Sequence, residues 1–173
     1  AKIPPMPADE GRIGSAEKDG IRVDAYVPKD GEAPADAVWV DDQTQKPLLK
    51  KGAKVAYVVF AATNVGEAPV YVEWAGWSPS VSAEGWDYFT SLGSLVLPEE
   101  DGNYSATAIQ DALIPEDPNA RVKLEPGESC AVTLLVPHGY ANYTFAGPLN
   151  IYGAEAAAEP ERTVVFEGIE LGL

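Results

Sequence analysis

Aromatic rings next to carboxylates are the most chemically suggestive group in this sequence. They lie between residues 73 and 89, the densest aromatic region of the chain. Exposed rings flanked by acidic side chains can stack on the apolar face of a sugar, and Trp and Tyr also dominate the binding hot spots of protein interfaces. The candidate ligand-binding residues are Trp77, Trp86, Tyr88, Glu73 and Asp87.

The alternative is that these rings close one end of the hydrophobic core, since Trp is highly buried on average. Side chains of a strand alternate between its two faces. In a strand that begins at Val70, Trp74 shares the core-facing side with Val70, whereas Trp77 falls on the opposite side. This phase would make Trp77 available to a ligand, although the burial typical of Trp favours the alternative, in which one or two of the rings cap the core.

A second candidate is a calcium site built from acidic loops. Ca²⁺ takes six to eight oxygen ligands, which loop carboxylates and carbonyls often supply in β-sandwich proteins. The candidate ligands are Asp41, Asp42, Glu99, Asp101 and Asn103. The alternative is a chance clustering of acidic residues, since 27 of the 173 residues are acidic and the spacing of a dedicated calcium loop is missing.

The sequence contains no recognisable catalytic motif. Its only histidine, His138, follows a proline in a predicted loop, and no Gly-x-Ser-x-Gly elbow accompanies it. A blue-copper site needs two His and one Cys, but the only cysteine, Cys130, falls on the inward face of a predicted strand. Zinc, P-loop and dinucleotide-binding motifs are also missing, so the sequence indicates a protein that is not an enzyme.

The net charge of the chain argues against some classes of binding partner. The chain carries 27 acidic and 12 basic side chains, for a formal net charge of -15. A field of this sign repels phosphate groups, so the composition argues against nucleic acid and anionic lipid as partners. Apolar residues make up 46% of the sequence, which indicates a globular chain.

Location is inferred from the cysteine count and the first residues. A single cysteine allows no intrachain disulfide, and no apolar run reaches the roughly 18 residues of a membrane helix. The Pro-rich start, Ala1 to Glu10, resembles a spacer that remains after a leader is removed. An exported protein without disulfides fits a bacterium, so the sequence predicts an extracellular or cell-surface location.

The fold prediction depends on the segment from Lys54 to Trp77. Residues 54–63 are a run of apolar, β-branched and aromatic side chains, which is typical of a strand buried on both faces. Turn residues interrupt this run between Asn64 and Pro69, and an alternating strand follows. The pattern predicts a β-hairpin at the centre of an antiparallel sheet.

Further short strands are separated by turn signals, with almost no helical periodicity. The predicted strands are residues 21–27, 37–41, 92–97, 104–109, 120–125, 129–136, 149–152 and 163–167. Residues 86–90 are either a strand or one helical turn, and the Ala/Glu-rich segment before residue 163 could form another turn of helix. The pattern indicates one all-β sandwich domain, residues 20–173, after an N-terminal tether at residues 1–19.

Three turn-and-strand motifs follow one another in the middle of the chain. They are Asn64-Val-Gly-Glu-Ala-Pro69, Leu97-Pro-Glu-Glu-Asp-Gly-Asn-Tyr104, and Leu124-Glu-Pro-Gly-Glu128 running through an apolar strand to Pro137. In this order they resemble a bacterial extracellular immunoglobulin-like family that includes small exported actinobacterial antigens and lipoprotein-tethered domains. The resemblance covers about half of the chain. It implies an immunoglobulin-like antiparallel β-sandwich with Greek-key connections, and it offers no catalytic residue.

The sequence therefore predicts a non-catalytic exported or cell-surface module that binds an extracellular protein or acts as a spacer. The alternative is a carbohydrate-binding module that uses the exposed Trp and Tyr residues. An enzyme that acts through a pair of carboxylates has no motif to support it. No cofactor is expected apart from calcium, and the pattern does not determine the oligomeric state.

Overall fold

The structure, a computed structural model, describes residues 11–33, 36–37, 40–73, 77, 79–91 and 121–173. Every regular element within these residues is a β-strand, and the strands form two antiparallel sheets. The strands are β1 (Arg12–Lys18), β2 (Ile21–Glu32), β3 (Lys54–Asn64), β4 (Val70–Glu73), β5 (Ser80–Glu84), β6 (Trp86–Ser91), β7 (Arg121–Leu124), β8 (Ser129–Pro137), β9 (Ala141–Tyr152) and β10 (Arg162–Glu170). The prediction of an all-β fold is confirmed.

The two sheets pack around one core. The first sheet has the strand order β1-β2-β3-β8. In the second sheet β9 is central, with β10 along one side and β5 and β4 in succession along the other. β6 extends this sheet beyond β5, and β7 extends it beyond β4. Phe60 of the first sheet meets Phe145 of the second, with ring centroids 5.1 Å apart, so the core lies between the sheets.

β3 is buried on both faces, as its apolar run predicts. Ten of its eleven residues are buried. Val58 and Phe60 belong to the core between the sheets, whereas Val55 and Tyr57 belong to a second apolar cluster that includes Leu49. Leu49 lies in the connection between β2 and β3, so this connection covers the outer face of β3. Within that connection the predicted strand at residues 37–41 is wrong, because the structure has only an isolated bridge between Val40 and Pro47.

The predicted hairpin between β3 and β4 is wrong. β3 pairs with β2 and β8 in the first sheet, whereas β4 pairs with β7 and β9 in the second. Residues 65–69 therefore carry the chain from one sheet to the other instead of folding it back beside itself. The turn residues of this segment predict a change of direction, which does occur, but they do not specify the partner of the next strand.

Asn64, the last residue of β3, holds this crossing in place. Its side chain is buried, at 1% exposure. The Nδ2 amide donates to the carbonyl of Ala68 at 2.8 Å and to the carbonyl of Leu124 at 3.0 Å, while Oδ1 accepts from the Gly66 N–H at 3.0 Å. Its backbone carbonyl accepts from Gly127 N–H at 2.7 Å. Since Leu124 lies in β7, this one side chain links the end of the first sheet to the second.

Residues 12–18 form strand β1, so the prediction of a tether through residue 19 is wrong for this part. β1 pairs with β2 across a two-residue turn at Asp19 and Gly20, whose φ angles are 49° and 78°. Positive φ at both positions is typical of the tight hairpin turn that Asp-Gly favours. The Ser15 hydroxyl of β1 also donates to the buried Asp24 of β2 at 2.6 Å. The folded domain therefore includes β1.

β1 also contacts the second sheet. The Gly172 N–H, just after β10, donates to the carbonyl of Ile13 at 2.7 Å. A Cβ atom at Gly14 would lie only 2.7 Å from the carbonyl oxygen of Glu170, so glycine permits the close approach of β1 and β10. The Lys18 ammonium donates to the carbonyl of Val165 at 3.3 Å. β1 therefore closes one side of the sandwich.

β9 continues through a proline and is longer than the predicted strand at residues 149–152. Pro148 faces Val165 of β10, whose carbonyl accepts from Lys18 and so points away from β9. The Pro148–Val165 pair is therefore a non-hydrogen-bonded pair, in which the missing proline N–H breaks no bond to β10. On the other side of β9, β5 pairs before Pro148 and β4 pairs after it. Proline thus occupies the position where one partner strand gives way to the next.

The remaining strand predictions differ in outcome. Those at residues 120–125, 129–136 and 163–167 are confirmed as β7, β8 and β10. Residues 86–90 lie in β6, and residues 153–161 form turns and bends rather than a helical turn. The predicted strands at residues 92–97 and 104–109 lie outside the described residues. Over the residues that are described, no helix is long and apolar enough to span a membrane.

Candidate binding surface

The structure does not bring the five predicted ligand-binding residues together. Trp77 is 2% exposed and belongs to the core, so its placement on a ligand-facing side is wrong and the alternative of a core-capping ring holds for it. The reason is that β4 ends at Glu73. Strand alternation cannot be extended to a residue that lies beyond the strand. Trp74 lies outside the described residues.

Glu73 belongs to a different part of the sheet from Trp86. Its carboxylate accepts a hydrogen bond from the Tyr152 hydroxyl at 3.0 Å, at the last residue of β9. Trp86 contacts Tyr140, which precedes the first residue of β9. A strand of twelve residues separates these places by on the order of 35 Å. Glu73 therefore cannot share a small ligand with Trp86.

The surroundings of Glu73 indicate a structural role. The Arg121 guanidinium lies 3.5 Å from the centroid of the Tyr152 ring. Its Nη1 donates to the carbonyl of Ala157 at 2.6 Å and to that of Glu155 at 2.8 Å. Burial, and then the hydrogen bond to Glu73, raise the pKa of the Tyr152 phenol, and the Arg121 charge partly opposes this. This network fixes the segment between β9 and β10 against the outer face of the sheet.

Trp86 and Tyr140 form an aromatic pair that is partly open to solvent. Their ring centroids are 5.5 Å apart and the ring planes are tilted by 56°. Trp86 is half-buried, because it packs against the cluster that contains Leu49 and Tyr57, while Tyr140 is 38% exposed. The tilt makes the pair a wedge rather than a flat platform.

Two polar side chains flank these rings. The exposed Glu84 carboxylate accepts from the Nδ2 amide of the exposed Asn142 at 2.6 Å. Glu84 and Trp86 lie on either side of Gly85, whose φ of 86° allows the tight turn from β5 to β6. We refer to Glu84, Trp86, Tyr140 and Asn142 as the aromatic rim.

Tyr143 anchors the connection that carries Tyr140. Its buried hydroxyl donates to the carbonyl of Pro137 at 2.6 Å and accepts from the backbone N–H of Tyr140 at 3.1 Å. Burial raises the pKa of the Tyr143 phenol, so the hydroxyl stays protonated and able to donate at neutral pH. One side chain in β9 therefore fixes both ends of the β8–β9 connection and positions the Tyr140 ring.

The sequence patterns identify only part of this rim. Trp86 is among the predicted residues, but Tyr140, Glu84 and Asn142 are not. Asp87 and Tyr88 are residues of β6, and their side chains lie outside the described part of the structure. Pro137 and Gly139 mark a turn, and a tyrosine in a turn at the end of two strands is the signal that points to Tyr140.

The calcium prediction gains no support from the residues that are described. The Oδ1 of Asp41 accepts from the backbone N–H groups of Gln43 and Thr44 at 3.0 and 2.6 Å, so this carboxylate organises a local turn. Asp42 is exposed in the same turn. In the described ranges no three His, Cys, Asp or Glu side chains are grouped so that they could hold a metal ion. Glu99, Asp101 and Asn103 lie outside those ranges.

Cys130 is expected to be unreactive in the folded protein. Its side chain is fully buried in the core, as its position in the strand pattern predicts, and burial raises the pKa of the thiol to about 12. The reactive thiolate is therefore scarce and inaccessible at pH 8. Native protein treated with iodoacetamide at pH 8 should keep its free thiol, whereas protein in concentrated guanidinium should lose one equivalent. Rapid labelling of the native protein would contradict the burial of Cys130.

Comparison with known proteins leaves the chain without a matched relative. A scan of protein-family models found no match, and searches of curated proteins and of solved structures found none either.

Proposed function

We propose that this chain is a non-catalytic, exported or cell-surface binding module with an immunoglobulin-like β-sandwich, and that it binds a protein partner through the aromatic rim. The observation that carries the proposal is the Trp86–Tyr140 pair, whose rings lie at a strand end and remain partly open to solvent. Partly exposed aromatic anchors with polar neighbours are typical of protein-binding surfaces. The exported location is part of the proposal and is supported by the acidic composition and the single cysteine, which allows no intrachain disulfide.

The strand order supports the immunoglobulin-like assignment. In that fold strands A, B, E and D form one sheet, and strands C, F and G form the other. β2, β3 and β8 match the first set in order, and β4, β9 and β10 match the second, with crossings between sheets after β3 and after β8. β1, β7 and the β5–β6 pair are additions to this scheme, and none of the described strands takes the position of strand D beside β8.

Tyr143 provides a second, independent likeness to that fold. Immunoglobulin-like domains often carry a tyrosine near the start of strand F whose hydroxyl bonds to the backbone a few residues upstream. Tyr143 lies near the start of β9, and its hydroxyl bonds to the carbonyl of Pro137, six residues upstream. The position of β9 in the scheme and the role of this tyrosine therefore agree.

A protein ligand fits the rim better than a glycan. A sugar ring stacks best on rings that share one plane, whereas Trp86 and Tyr140 are tilted by 56°. Trp77, which would have extended a platform, is in the core. A protein surface can fill a wedge, because side chains of different shapes enter it from several directions.

Crosslinking tests the proposed protein partner. A photo-crosslinking phenylalanine analogue at position 140 should capture a protein from an extract of the envelope and culture fluid of the producing cells. The same analogue at position 165 is the control, because Val165 is similarly exposed, at 39%, but lies on β10. Equal capture from both positions would contradict a partner at the rim. Binding to a glycan array that is lost on Tyr140→Ala would instead favour the carbohydrate reading.

A further inference from the structure

We infer that the aromatic rim receives a positively charged side chain, arginine or lysine, from the protein partner. This inference rests on the function proposed above and adds the chemistry that the rim recognises. It depends on three features: the partly exposed Tyr140 ring next to Trp86, the Glu84 carboxylate at the neighbouring turn and the net charge of the chain.

The wedge of Trp86 and Tyr140 has the geometry that a cation requires. An aromatic face attracts a cation placed within about 6 Å of the ring centroid, and Trp and Tyr are the strongest of the aromatic side chains in this respect. In the proposed complex a flat guanidinium lies on the open part of the Tyr140 ring, beside the Trp86 indole, whose centroid is 5.5 Å away. Tyr140 leaves 38% of its surface open for this contact.

The same molecule already contains this interaction at another place. The Arg121 guanidinium stacks on the Tyr152 ring at 3.5 Å from its centroid, and Glu73 accepts a hydrogen bond from the same tyrosine. There an aromatic ring, a carboxylate and an arginine are all supplied by one chain. At the rim, Tyr140 corresponds to Tyr152 and Glu84 corresponds to Glu73. In the proposed complex the partner supplies the cation that corresponds to Arg121.

Glu84 makes the rim selective for charge as well as for shape. Its Oε2 accepts from the Nδ2 amide of Asn142, which holds the carboxylate in place at the turn. An ionised carboxylate offers about four acceptor sites, so capacity remains for a guanidinium or ammonium group. Charge-assisted hydrogen bonds of this type are roughly twice as strong as neutral ones. A cation should therefore bind better than a neutral side chain of the same shape.

The charge of the whole chain favours the same ligand. A formal net charge of -15 draws basic partners toward the protein and repels acidic ones. Attraction of this kind weakens as salt screens it. Binding of a basic segment at the rim should accordingly fall as the ionic strength rises, whereas a purely apolar contact should not weaken.

Peptide titration followed by NMR tests the inference. The probe is the blocked peptide acetyl-Gly-Ser-Arg-Ser-Gly-amide, and its control replaces arginine by citrulline, which is neutral and has nearly the same shape. The signals of the Gly85 amide and of the Trp86 indole, assigned with Trp86→Phe, should shift with the arginine peptide. We expect binding of the citrulline peptide to be about tenfold weaker, because it lacks the charge that both the rings and Glu84 attract.

Variants separate the contributions of the rim. Glu84→Gln should weaken binding of the arginine peptide about fivefold, and Tyr140→Ala should abolish the shifts. Glu167→Gln removes an exposed carboxylate from β10 and should leave binding unchanged. Equal shifts from the arginine and citrulline peptides, or no shift from either, would overturn the inference. If crosslinking at position 140 still captured a protein, the proposed function would stand and only the cationic ligand would be rejected.

Discussion

Replacing Asn64 by alanine is expected to lower the free energy of unfolding by about 3 kcal/mol. The substitution removes two amide donors and one acceptor from a residue that is 1% exposed. The carbonyl of Leu124 then loses a partner at a buried position, and the Gly66 N–H loses its acceptor in the crossing between sheets. Urea unfolding followed by circular dichroism measures the change, with the slope checked for equality between variants.

Two further variants define the role of Asn64. Asn64→Asp keeps the size and the acceptor but replaces the donating amide by an oxygen that faces the carbonyls of Ala68 and Leu124. We expect it to be at least as destabilising as alanine. Asn150→Ala is the matched control, since Asn150 accepts an exposed hydrogen bond from Thr163, and it should cost no more than about 0.5 kcal/mol. A loss below about 1 kcal/mol for Asn64→Ala would refute the role of Asn64 as the link between sheets.

Replacing Tyr143 by phenylalanine is expected to cost about 2 kcal/mol of stability. The ring and its packing remain, so the change isolates the hydroxyl. Without it, the carbonyl of Pro137 loses its donor at 2.6 Å and the Tyr140 N–H loses its acceptor at 3.1 Å. Because Tyr140 carries one ring of the rim, the arginine peptide should also bind more weakly to Tyr143→Phe than to the unaltered protein.

Tyr140→Phe is the control for this experiment. It removes a hydroxyl from a neighbouring, partly exposed tyrosine but keeps the ring of the aromatic pair. We expect a change in stability within about 0.5 kcal/mol. If the two phenylalanine variants proved equally stable, the buried hydroxyl of Tyr143 would not be the anchor of the β8–β9 connection.

Local patterns predicted the strands whose burial is uniform or cleanly alternating. β3 and β8 are rich in β-branched side chains. The burial of β3 on both faces and the inward position of Cys130 in β8 are confirmed. β1 was missed because its residues are exposed or half-buried, so no apolar period marks it. The Asp19-Gly20 pair before β2 was the signal that could have revealed the β1–β2 hairpin.

Local sequence patterns do not predict which strands pair with one another. A turn sequence reports where the chain changes direction, but whether it returns beside itself or crosses to another sheet depends on residues far away. Asn64 bonds to Leu124, sixty positions along the chain, and this contact distinguishes the crossing from a hairpin. In the same way, a proline is normally taken to end a strand. Pro148 is tolerated within β9 because it lies between the part that pairs with β5 and the part that pairs with β4.

The candidate site is also predictable from the sequence only in part. Trp86 was predicted from its type and its acidic neighbours, whereas Trp77 was misplaced because the strand phase was extended beyond Glu73. Tyr140 comes from a connection more than fifty residues away from Trp86, and only the pairing of β5 with β9 brings the two rings together. No spacing of residues in the sequence predicts that the rings of Trp86 and Tyr140 are in contact.

The amino-acid sequence by itself determined the all-β class, the burial of β3 on both faces and the inward position of Cys130, because these depend on local periodicity and side-chain chemistry. The tertiary structure decided which of the described strands share a sheet, that Trp77 is buried, and that Trp86 and Tyr140 meet in a partly exposed pair. These features depend on contacts between residues far apart in the chain. Such contacts follow from the joint packing of both sheets around one core, so no single stretch of sequence specifies them.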